Sequence, residues 1–325
     1  MGELPRDPLG MRLRRLLNAV VDEATPRLAT FVFRNRAGRL PILPSSLKNL
    51  ERGEVINPKI AAPTTRAASC PKIIFQTWKS RSEIPDNYRY WHGTFRAKNP
   101  EHVVILWDDD DNRRFIAEEF PWFLNTYNSY PSEIYRADVV RYFFLFRYGG
   151  IYADLDTECL RSVDETTALG DVVLCRMGAD RAFPHSVPNA VMASRPGEIF
   201  WLYVVLLARL ASADMSRDVK GGPEAMTGPV LLKNALDDFV RLDRASAWAA
   251  VGAIRALLTS EQRGILSQGS IRVLKPKSWY PLDWTNPIHK LLRSQLLDRR
   301  QLLPADVARA LFPGSTVVTY WSHSW

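Results

Sequence analysis

One stretch of the chain constrains the fold more than any other, because a helical pattern runs through two glycines into a short strand that ends in Asp-x-Asp. It reads EIYRADVVRYFFLFRYGGIYADLD over residues 133–156. Apolar and aromatic residues recur at helical spacing from Glu133 to Tyr148, which predicts a buried helix. Gly149 and Gly150 then end that helix, because glycine adopts the left-handed C-cap conformation without steric cost. We expect a helix packed closely against the strand that follows it.

The segments before residue 133 indicate the same class of fold. KIIFQT at 72–77 and HVVILW at 102–107 are short β-rich runs, and helical patterns follow them at 85–99 and 113–120. This alternation predicts an α/β domain with a largely parallel sheet. Four further elements are expected downstream: a core helix over 199–207, a helix over 245–258, a strand over 270–274 and an aromatic loop over 279–284.

The Asp-x-Asp sequence suggests chemistry. Alternation along a strand places Tyr152, Asp154 and Asp156 on one side, where the two carboxylates repel each other unless a cation lies between them. A divalent metal is the natural partner, because hard cations favour carboxylate oxygen, and it could bridge a nucleotide diphosphate. Ligands of open α/β sheets bind beyond the carboxyl ends of the strands. On the preceding helix, Asp138 and Arg141 share one face; by itself this spacing is typical of a surface ion pair.

Several ordered motifs, spread over about residues 70–325, together resemble glycosyltransferase family 32. That family includes fungal α-mannosyltransferases and inositol-phosphorylceramide mannosyltransferases. The central matches are Arg136-Ala137-Asp138, Arg141-Tyr142, Tyr148-Gly149-Gly150-Ile151-Tyr152, Asp154-Leu155-Asp156 and Asp164. The outer matches are Pro71–Trp78, Trp107-Asp108, Pro188-Asn189 with Ala193, Thr227-Gly228-Pro229 and Trp321–Trp325.

The resemblance implies a GT-A type fold, which is a Rossmann-like mixed sheet flanked by helices. It also implies a metal-dependent, retaining hexosyltransferase that uses Mn²⁺ or Mg²⁺. The hexose would be mannose, or a sugar of the glucose or galactose type, carried by a GDP- or UDP-linked donor to a glycan, lipid or small-molecule acceptor. Two other classes stay open: a metal-dependent nucleotide-sugar hydrolase and a non-catalytic sugar-binding protein.

Site residues follow from the resemblance one by one. The implied catalytic residues are Asp138, Arg141, Asp154 and Asp156. The implied donor-binding residues are Ile74, Gln76, Thr77, Trp78, Trp107, Asp138, Arg141, Tyr152, Asp154, Asn189, Gly228, Ser324 and Trp325. The implied metal ligands are Asp154, Asp156 and His323. The chain departs from the family at Phe75, where a His is usual, and at Thr319-Tyr320, where a His pair is frequent.

Positive charge is concentrated in the first fifth of the chain. Residues 1–69 carry 12 Lys and Arg against 6 Asp and Glu, within a net charge of +8 for the whole chain. Prolines interrupt this segment, so we expect an irregular basic arm ahead of a glycosyltransferase domain over 70–325. The near-neutral domain argues against a nucleic-acid partner, whereas the Arg-rich stretch at 11–21 could contact a membrane surface. With neither a membrane-length apolar run nor a clear signal peptide, we expect a cytoplasmic or peripheral location.

Three smaller features complete the expectations. The acidic run Asp108–Asp111 predicts a turn that caps a helix beginning at Arg113. Trp279, Tyr280 and Trp284 predict either an aromatic platform for an acceptor sugar or part of the core. Cys70, Cys159 and Cys175 predict reduced thiols, with a bridge between Cys159 and Cys175 as the alternative in an oxidising compartment.

Overall fold

The computed structural model describes residues 60–213, 222–298 and 302–322. The described strands are β1 (Ile73–Thr77), β2 (Val103–Trp107), β3 (Gly150–Ala153), β4 (Thr157–Cys159), β5 (Val172–Cys175), β6 (Val191–Ser194), β7 (Ile271–Leu274) and β8 (Val317–Thr319). Six of them form one sheet in the order β2-β1-β3-β6-β5-β7, and β4 pairs with β8 in a separate antiparallel ladder. In the large sheet β6 is antiparallel to both neighbours, and the other pairs are parallel.

Helices separate and cover the strands. Those before β5 are α1 (Asp86–Lys98), α2 (Asp109–Glu119), α3 (Leu124–Ser129), α4 (Glu133–Arg147) and α5 (Asp164–Thr167). Those between β6 and β7 are α6 (Ile199–Ala213), α7 (Gly222–Met226), α8 (Pro229–Phe239), α9 (Arg244–Ala250), α10 (Gly252–Leu257) and α11 (Ser260–Gly264). The last three are α12 (Pro276–Trp279), α13 (Pro287–Asp298) and α14 (Ala305–Leu311). No described helix is long and apolar enough to cross a membrane.

The core lies on both faces of the large sheet, because successive side chains of a strand point in opposite directions. Ile74 packs on one face with Trp91 of α1, and Phe75 packs on the other face with Phe144 of α4. The rings of Phe75 and Phe144 are stacked, with centroids 5.0 Å apart. A sheet buried on both faces requires apolar strands such as IIFQT and VVILW. The predicted α/β class, with a Rossmann-like mixed sheet flanked by helices, is confirmed.

The Gly-Gly turn fixes where β3 enters the sheet. Gly149 and Gly150 have φ values of 67° and 84°, in the left-handed region that glycine tolerates. A Cβ on Gly150 would lie 2.5 Å from the Ile73 carbonyl oxygen. The predicted helix end is therefore confirmed, and the same glycine lets β3 approach β1 closely.

Several predicted boundaries are wrong. The acidic run belongs to the first turn of α2, because Asp108 is the N-cap and exchanges side-chain and backbone hydrogen bonds with Asp111. The helix expected over 245–258 is interrupted at Val251, between α9 and α10. β3 ends at Ala153, so the strand does not extend to Asp156.

The three cysteines are free. Cys159 and Cys175 are buried, and Cys70 is half-buried. The expectation of reduced thiols is confirmed, and the alternative bridge is absent.

Candidate active site

The topology gathers the predicted site at one edge of the large sheet. The carboxyl ends of β1, β2, β3, β5 and β7 share that edge because these strands run parallel, and β6 begins there because it runs the other way. Asp154 follows β3, and Asn189 precedes β6. Asp154 donates its backbone N–H to the Ala190 carbonyl, 2.8 Å away. Residues from opposite-running strands therefore meet at one point.

Arg141 of α4 lies at the centre of this edge. Its guanidinium is paired with Asp138 and with Asp154, each at an N–O distance of 3.1 Å. It also donates to the Asn189 carbonyl at 2.9 Å and lies 4.5 Å from the centre of the Tyr152 ring. The Arg141 side chain is only 1% exposed, so the expectation of a surface pair from its spacing alone is wrong.

Asp138 is held from a second direction. Asn189 donates its side-chain amide to Asp138 Oδ1 at 2.9 Å and to the Tyr142 hydroxyl at 3.2 Å. Tyr142 in turn donates to the Thr227 carbonyl at 2.8 Å. A Cβ on Gly228 would lie 2.9 Å from Asp138 Oδ2, so only glycine fits there without displacing its neighbours. The structure thus brings Asn189 and Gly228, from distant parts of the chain, against the predicted Asp138–Arg141 pair.

Two carboxylates share one guanidinium in this cluster. Burial raises the pKa of Asp138, with Arg141 and Asn189 opposing the rise. Burial also raises the pKa of Asp154 to about 7, with Arg141 opposing and Asp156 adding to the rise. Additional hydrogen-bond donors or positive charge at this edge would stabilise the ionised carboxylates.

Tyr152 and Gln76 connect the cluster to β1. Tyr152 donates its hydroxyl to Asp154 Oδ1 at 2.8 Å and lies 3.3 Å from the Thr77 hydroxyl. Gln76 donates to the Asp154 carbonyl at 3.4 Å and accepts from His92 Nδ1 at 2.7 Å. His92 was not anticipated, because its position on α1 gives no sequence signal of contact with β1.

The other predicted donor-binding residues lie further into the fold. Ile74 is fully buried in the core. Trp78 packs edge-on against Tyr88, and half-buried Trp107 packs against Phe144. Their contact with a donor stays a prediction.

Asp156 faces a different partner from Asp154. The chain turns after β3, with Thr157 donating its backbone N–H to the Asp154 carbonyl at 3.1 Å, and enters β4. Ser322, which follows β8, donates both its backbone N–H and its hydroxyl to Asp156 Oδ2, at 2.7 and 2.8 Å. Asp156 Oδ1 is sealed from solvent and has no hydrogen-bond partner among the described residues. Sequence reasoning overlooked Ser322, although it lies within the terminal motif.

Asp154 and Asp156 could provide some of the ligands of a divalent cation, with the remaining ligands coming from outside the protein. An unpartnered, buried carboxylate oxygen is costly unless a cation or a donor approaches it. Across the described ranges, no three His, Cys, Asp or Glu side chains converge as a metal cage. Cations that bind with phosphates commonly take one or two carboxylates and complete their shell with phosphate oxygen and water. Predicted residues His323, Ser324 and Trp325 lie outside the described residues.

A row of rings leads away from Asp156. Trp321 is next to Ser322, and the centre of its ring system lies 5.6 Å from that of Trp284. The centre of the Trp284 ring system lies 5.2 Å from that of the His185 ring. Phe183 continues this aromatic row, at 5.5 Å from His185. Trp284, His185 and Phe183 are half-buried. Of the predicted platform, Trp279 and Tyr280 belong to the core at 1% exposure each, as one of the two expectations had it.

The family comparison agrees with this geometry. The profile described as "Glycosyltransferase sugar-binding region containing DXD motif" matches residues 85–172. These residues include α4, the Gly-Gly turn and both aspartates of the pair. This stretch is similar to a DXD sugar-binding region. The predicted resemblance to the DXD sugar transferases is confirmed.

Curated relatives of the chain include fungal mannosyltransferases. The chain is 43% identical over 145 residues to inositol phosphoceramide mannosyltransferase 3 of Schizosaccharomyces pombe, covering 44% of this chain and 38% of that protein. It is 39% identical to a mannosyl phosphorylinositol ceramide synthase of Saccharomyces cerevisiae, covering 42% and 34%. It is 31% identical to an initiation-specific alpha-1,6-mannosyltransferase of Candida albicans, covering 34% and 31%. In each case the match spans less than two fifths of the relative's length.

Proposed function

We propose that the chain is a metal-dependent, retaining glycosyltransferase that moves a hexose from a GDP- or UDP-linked donor to an acceptor. The observation that carries the proposal is the buried Asp138–Arg141–Asp154 cluster beside the unpartnered oxygen of Asp156. Both lie at the ligand-binding edge of the sheet and within the DXD region. The names of the relatives favour mannose as the hexose and a phosphoinositol lipid as the acceptor.

The proposed role of each site residue follows from how deeply it is buried. Arg141 is too deeply buried to act as a mobile clamp, so it orients Asp138 and Asp154 toward the hydroxyls of the donor. Asp156, with Asp154 through water, would hold a divalent cation. When bound, that cation would supply positive charge where negative charge develops on the departing nucleoside diphosphate.

The cluster also bears on stereochemistry. Asp138 and Asp154 are each ion-paired to Arg141, which disfavours either carboxylate as a nucleophile toward the sugar. We therefore favour attack by the acceptor on the face that the diphosphate leaves, with the departing phosphate as base and the configuration retained. The sugar passes through an oxocarbenium-like state. A covalent sugar trapped on an Asp or Glu side chain would contradict this route.

The acceptor is proposed to approach along the aromatic row. Trp321 lies beside the residue that holds Asp156, and the residues beyond it, Trp284, His185 and Phe183, are half-buried. Indole and imidazole present an apolar face and a polar edge, which suits the C–H face and the hydroxyls of a sugar or cyclitol ring. The row comes from the loops after β5, β7 and β8, whereas the predicted donor-binding residues Ile74, Gln76, Thr77, Trp78 and Trp107 lie in or next to β1 and β2.

A thermal-shift panel tests the donor side. GDP-mannose, UDP-glucose and UDP-galactose are each added with Mn²⁺ to the full chain, and the melting temperature is followed. We expect one nucleoside diphosphate class to stabilise the protein, with the stabilisation lost in EDTA. Stabilisation by none of them, with or without Mn²⁺, would contradict the proposal.

Product analysis separates transfer from the two other classes. Donor turnover is measured without acceptor and with methyl α-mannoside or myo-inositol as probes. A new glycoside that appears only with a probe supports a transferase, and hydrolysis at the same rate with every probe favours a hydrolase. Sugar binding by Asp156→Ala that needs no Mn²⁺ would favour a non-catalytic sugar-binding protein.

A further inference from the structure

We infer that Ser322 is a positioning residue, which fixes one oxygen of Asp156 so that the other faces a divalent cation. This inference rests on the metal-dependent function proposed above. Neither the profile match, which ends at residue 172, nor the predicted terminal pair Ser324 and Trp325 includes Ser322.

The hydrogen bonds to Asp156 are one-sided. The backbone N–H and the hydroxyl of Ser322 both donate to Oδ2, at 2.7 and 2.8 Å. Oδ1 has no donor among the described residues and is sealed from solvent. Two donors on one oxygen hold the plane of the carboxylate and leave the second oxygen as the free acceptor.

A second Ser–Asp contact in the same protein has the same two hydrogen bonds and, in addition, a cation on the other carboxylate oxygen. Ser270 donates its backbone N–H and hydroxyl to Asp171 Oδ2 at 2.7 and 3.0 Å, the same pair of bonds. There the remaining oxygen, Oδ1, binds the Arg195 guanidinium at 2.6 Å. At Asp156 the protein supplies no equivalent cation within the described ranges. The missing partner is therefore expected to be a bound cation.

The antiparallel pair of strands β4 and β8 positions Ser322 beside Asp156. Thr157 of β4 is paired with Thr319 of β8, and Tyr320 donates its backbone N–H to the Asp156 carbonyl at 3.0 Å. The Tyr320 hydroxyl donates to Glu158 at 2.5 Å. Asp156 thus lies at the end of a ladder whose opposite strand brings the serine.

Trp321 bends the chain between the ladder and the serine. Its φ of 54° is the one positive value among the described non-glycine residues, and it lies in the left-handed region that bulky side chains rarely adopt. The indole donates to the Leu282 carbonyl at 2.8 Å, which anchors the bend. The bend at Trp321 turns the chain so that Ser322 lies against Asp156.

Mn²⁺ binding to the full chain tests the inference without turnover. MnCl₂ is titrated calorimetrically into the protein alone and in the presence of GDP or UDP. Ser322→Ala is expected to weaken Mn²⁺ binding about tenfold, the lower end for residues that orient a metal ligand. Ser322→Thr should restore the affinity, because threonine keeps the hydroxyl. The melting temperature of each metal-free variant, measured in EDTA, should stay near that of the parent.

Ser270→Ala is the matched control, because it removes the same hydroxyl from the same kind of contact away from Asp156 and should leave Mn²⁺ affinity unchanged. Asp156→Asn should abolish binding. Parental affinity in Ser322→Ala, with binding lost in Asp156→Asn, overturns the role of Ser322 and leaves the metal site intact. Parental affinity in Asp156→Asn overturns the metal-dependent function itself.

Discussion

Arg141 shows how one residue changes meaning when it is buried. Its spacing from Asp138 is that of an ordinary i,i+3 surface pair, and the same helix carries such a pair in Arg136 and Glu133. Burial makes the difference, because a charge removed from water must be compensated by nearby charges and hydrogen bonds, whereas an exposed charge is stabilised by water. Sequence identified the residue, and its pairing with Asp154, which follows β3, became visible only in the fold.

We predict that Arg141→Met lowers the free energy of unfolding by about 3–5 kcal/mol, because two buried carboxylates lose their shared cation. Arg136→Met removes the partly exposed pair with Glu133 from the same helix and should cost about 1 kcal/mol. Urea denaturation of both variants measures the contrast. Equal losses would show that the two pairs have the same environment.

The hydrogen bonds from His92 through Gln76 to the Asp154 carbonyl give the site a pH-dependent support. His92 Nδ1–H donates to the Gln76 carbonyl oxygen, and the buried Nε2 has no partner among the described residues. Burial lowers the pKa of His92 to about 4, with the nearby Arg96 adding to the shift. The folded protein is therefore stabilised when the His92 imidazole is neutral.

The folded-state pKa of His92 lies below the ordinary value of 6.5, so the unfolded chain binds this proton first as the pH falls. Stability from the neutral imidazole is present above pH 6.5 and is lost between about pH 6.5 and 4, at no more than about 1.4 kcal/mol per pH unit. His92→Asn keeps a donor near Nδ1 and does not titrate. The parent protein should therefore lose stability relative to His92→Asn across that interval, as measured by urea denaturation. A constant difference between the two proteins would contradict the prediction.

At the scale of elements, the junction of α4, the Gly-Gly turn and β3 places the DXD residues. Gly150 allows β3 to lie against the Ile73 carbonyl, and Tyr148 and Gly149 bond back to the last turn of the helix. The types of these elements were predicted from local patterns. The end of β3 was not predicted, because the turn from Asp154 to Thr157 depends on the pairing of β4 with β8, which is far away in the sequence.

We predict that Gly150→Ala lowers the free energy of unfolding by at least about 2 kcal/mol, because a left-handed conformation is combined with a contact to backbone oxygen. Gly252 begins α10, has an ordinary φ, and has open space where a Cβ would lie. Gly252→Ala should be neutral or stabilising by up to about 1 kcal/mol. Melting temperatures of the two variants provide the comparison, and similar losses in both would refute the argument.

At the scale of the whole molecule, three loops that follow different strands assemble the aromatic row. Phe183 and His185 come after β5, Trp284 after β7 and Trp321 after β8. Of these, only Trp284 belonged to the aromatic platform predicted from the sequence. Its two companions in that prediction fill the core, because a cluster in sequence does not specify which rings face solvent.

If the row binds an acceptor ring, Trp284→Ala should raise the acceptor KM about tenfold, the loss expected from about 1.4 kcal/mol of ring contact. Donor hydrolysis without acceptor should stay unchanged, because the nucleotide is proposed to bind at β1 and β2, in the other half of the sheet. Trp248→Ala, on helix α9, is the matched control for loss of an indole. An unchanged acceptor KM would exclude the row from acceptor binding.

The basic arm is the part of the prediction that stays a prediction, since residues 1–59 lie outside the described residues. Of its last ten residues, Ile60 and Ala62 pack against the core, and Arg147 donates to the Pro63 carbonyl at 3.1 Å. A contact between the arm and a membrane surface remains to be tested.

The sequence by itself determined the element types, the glycine turn and the identity of the Asp–Arg and Asp-x-Asp residues. These depend on short-range physics, namely side-chain periodicity and the sterics of glycine. The tertiary structure alone decided that Arg141 joins Asp138 to Asp154, that Ser322 binds Asp156 across 166 positions of chain, and which aromatic rings fill the core. Those outcomes depend on strand order and on which surfaces are removed from water, and no local pattern encodes either.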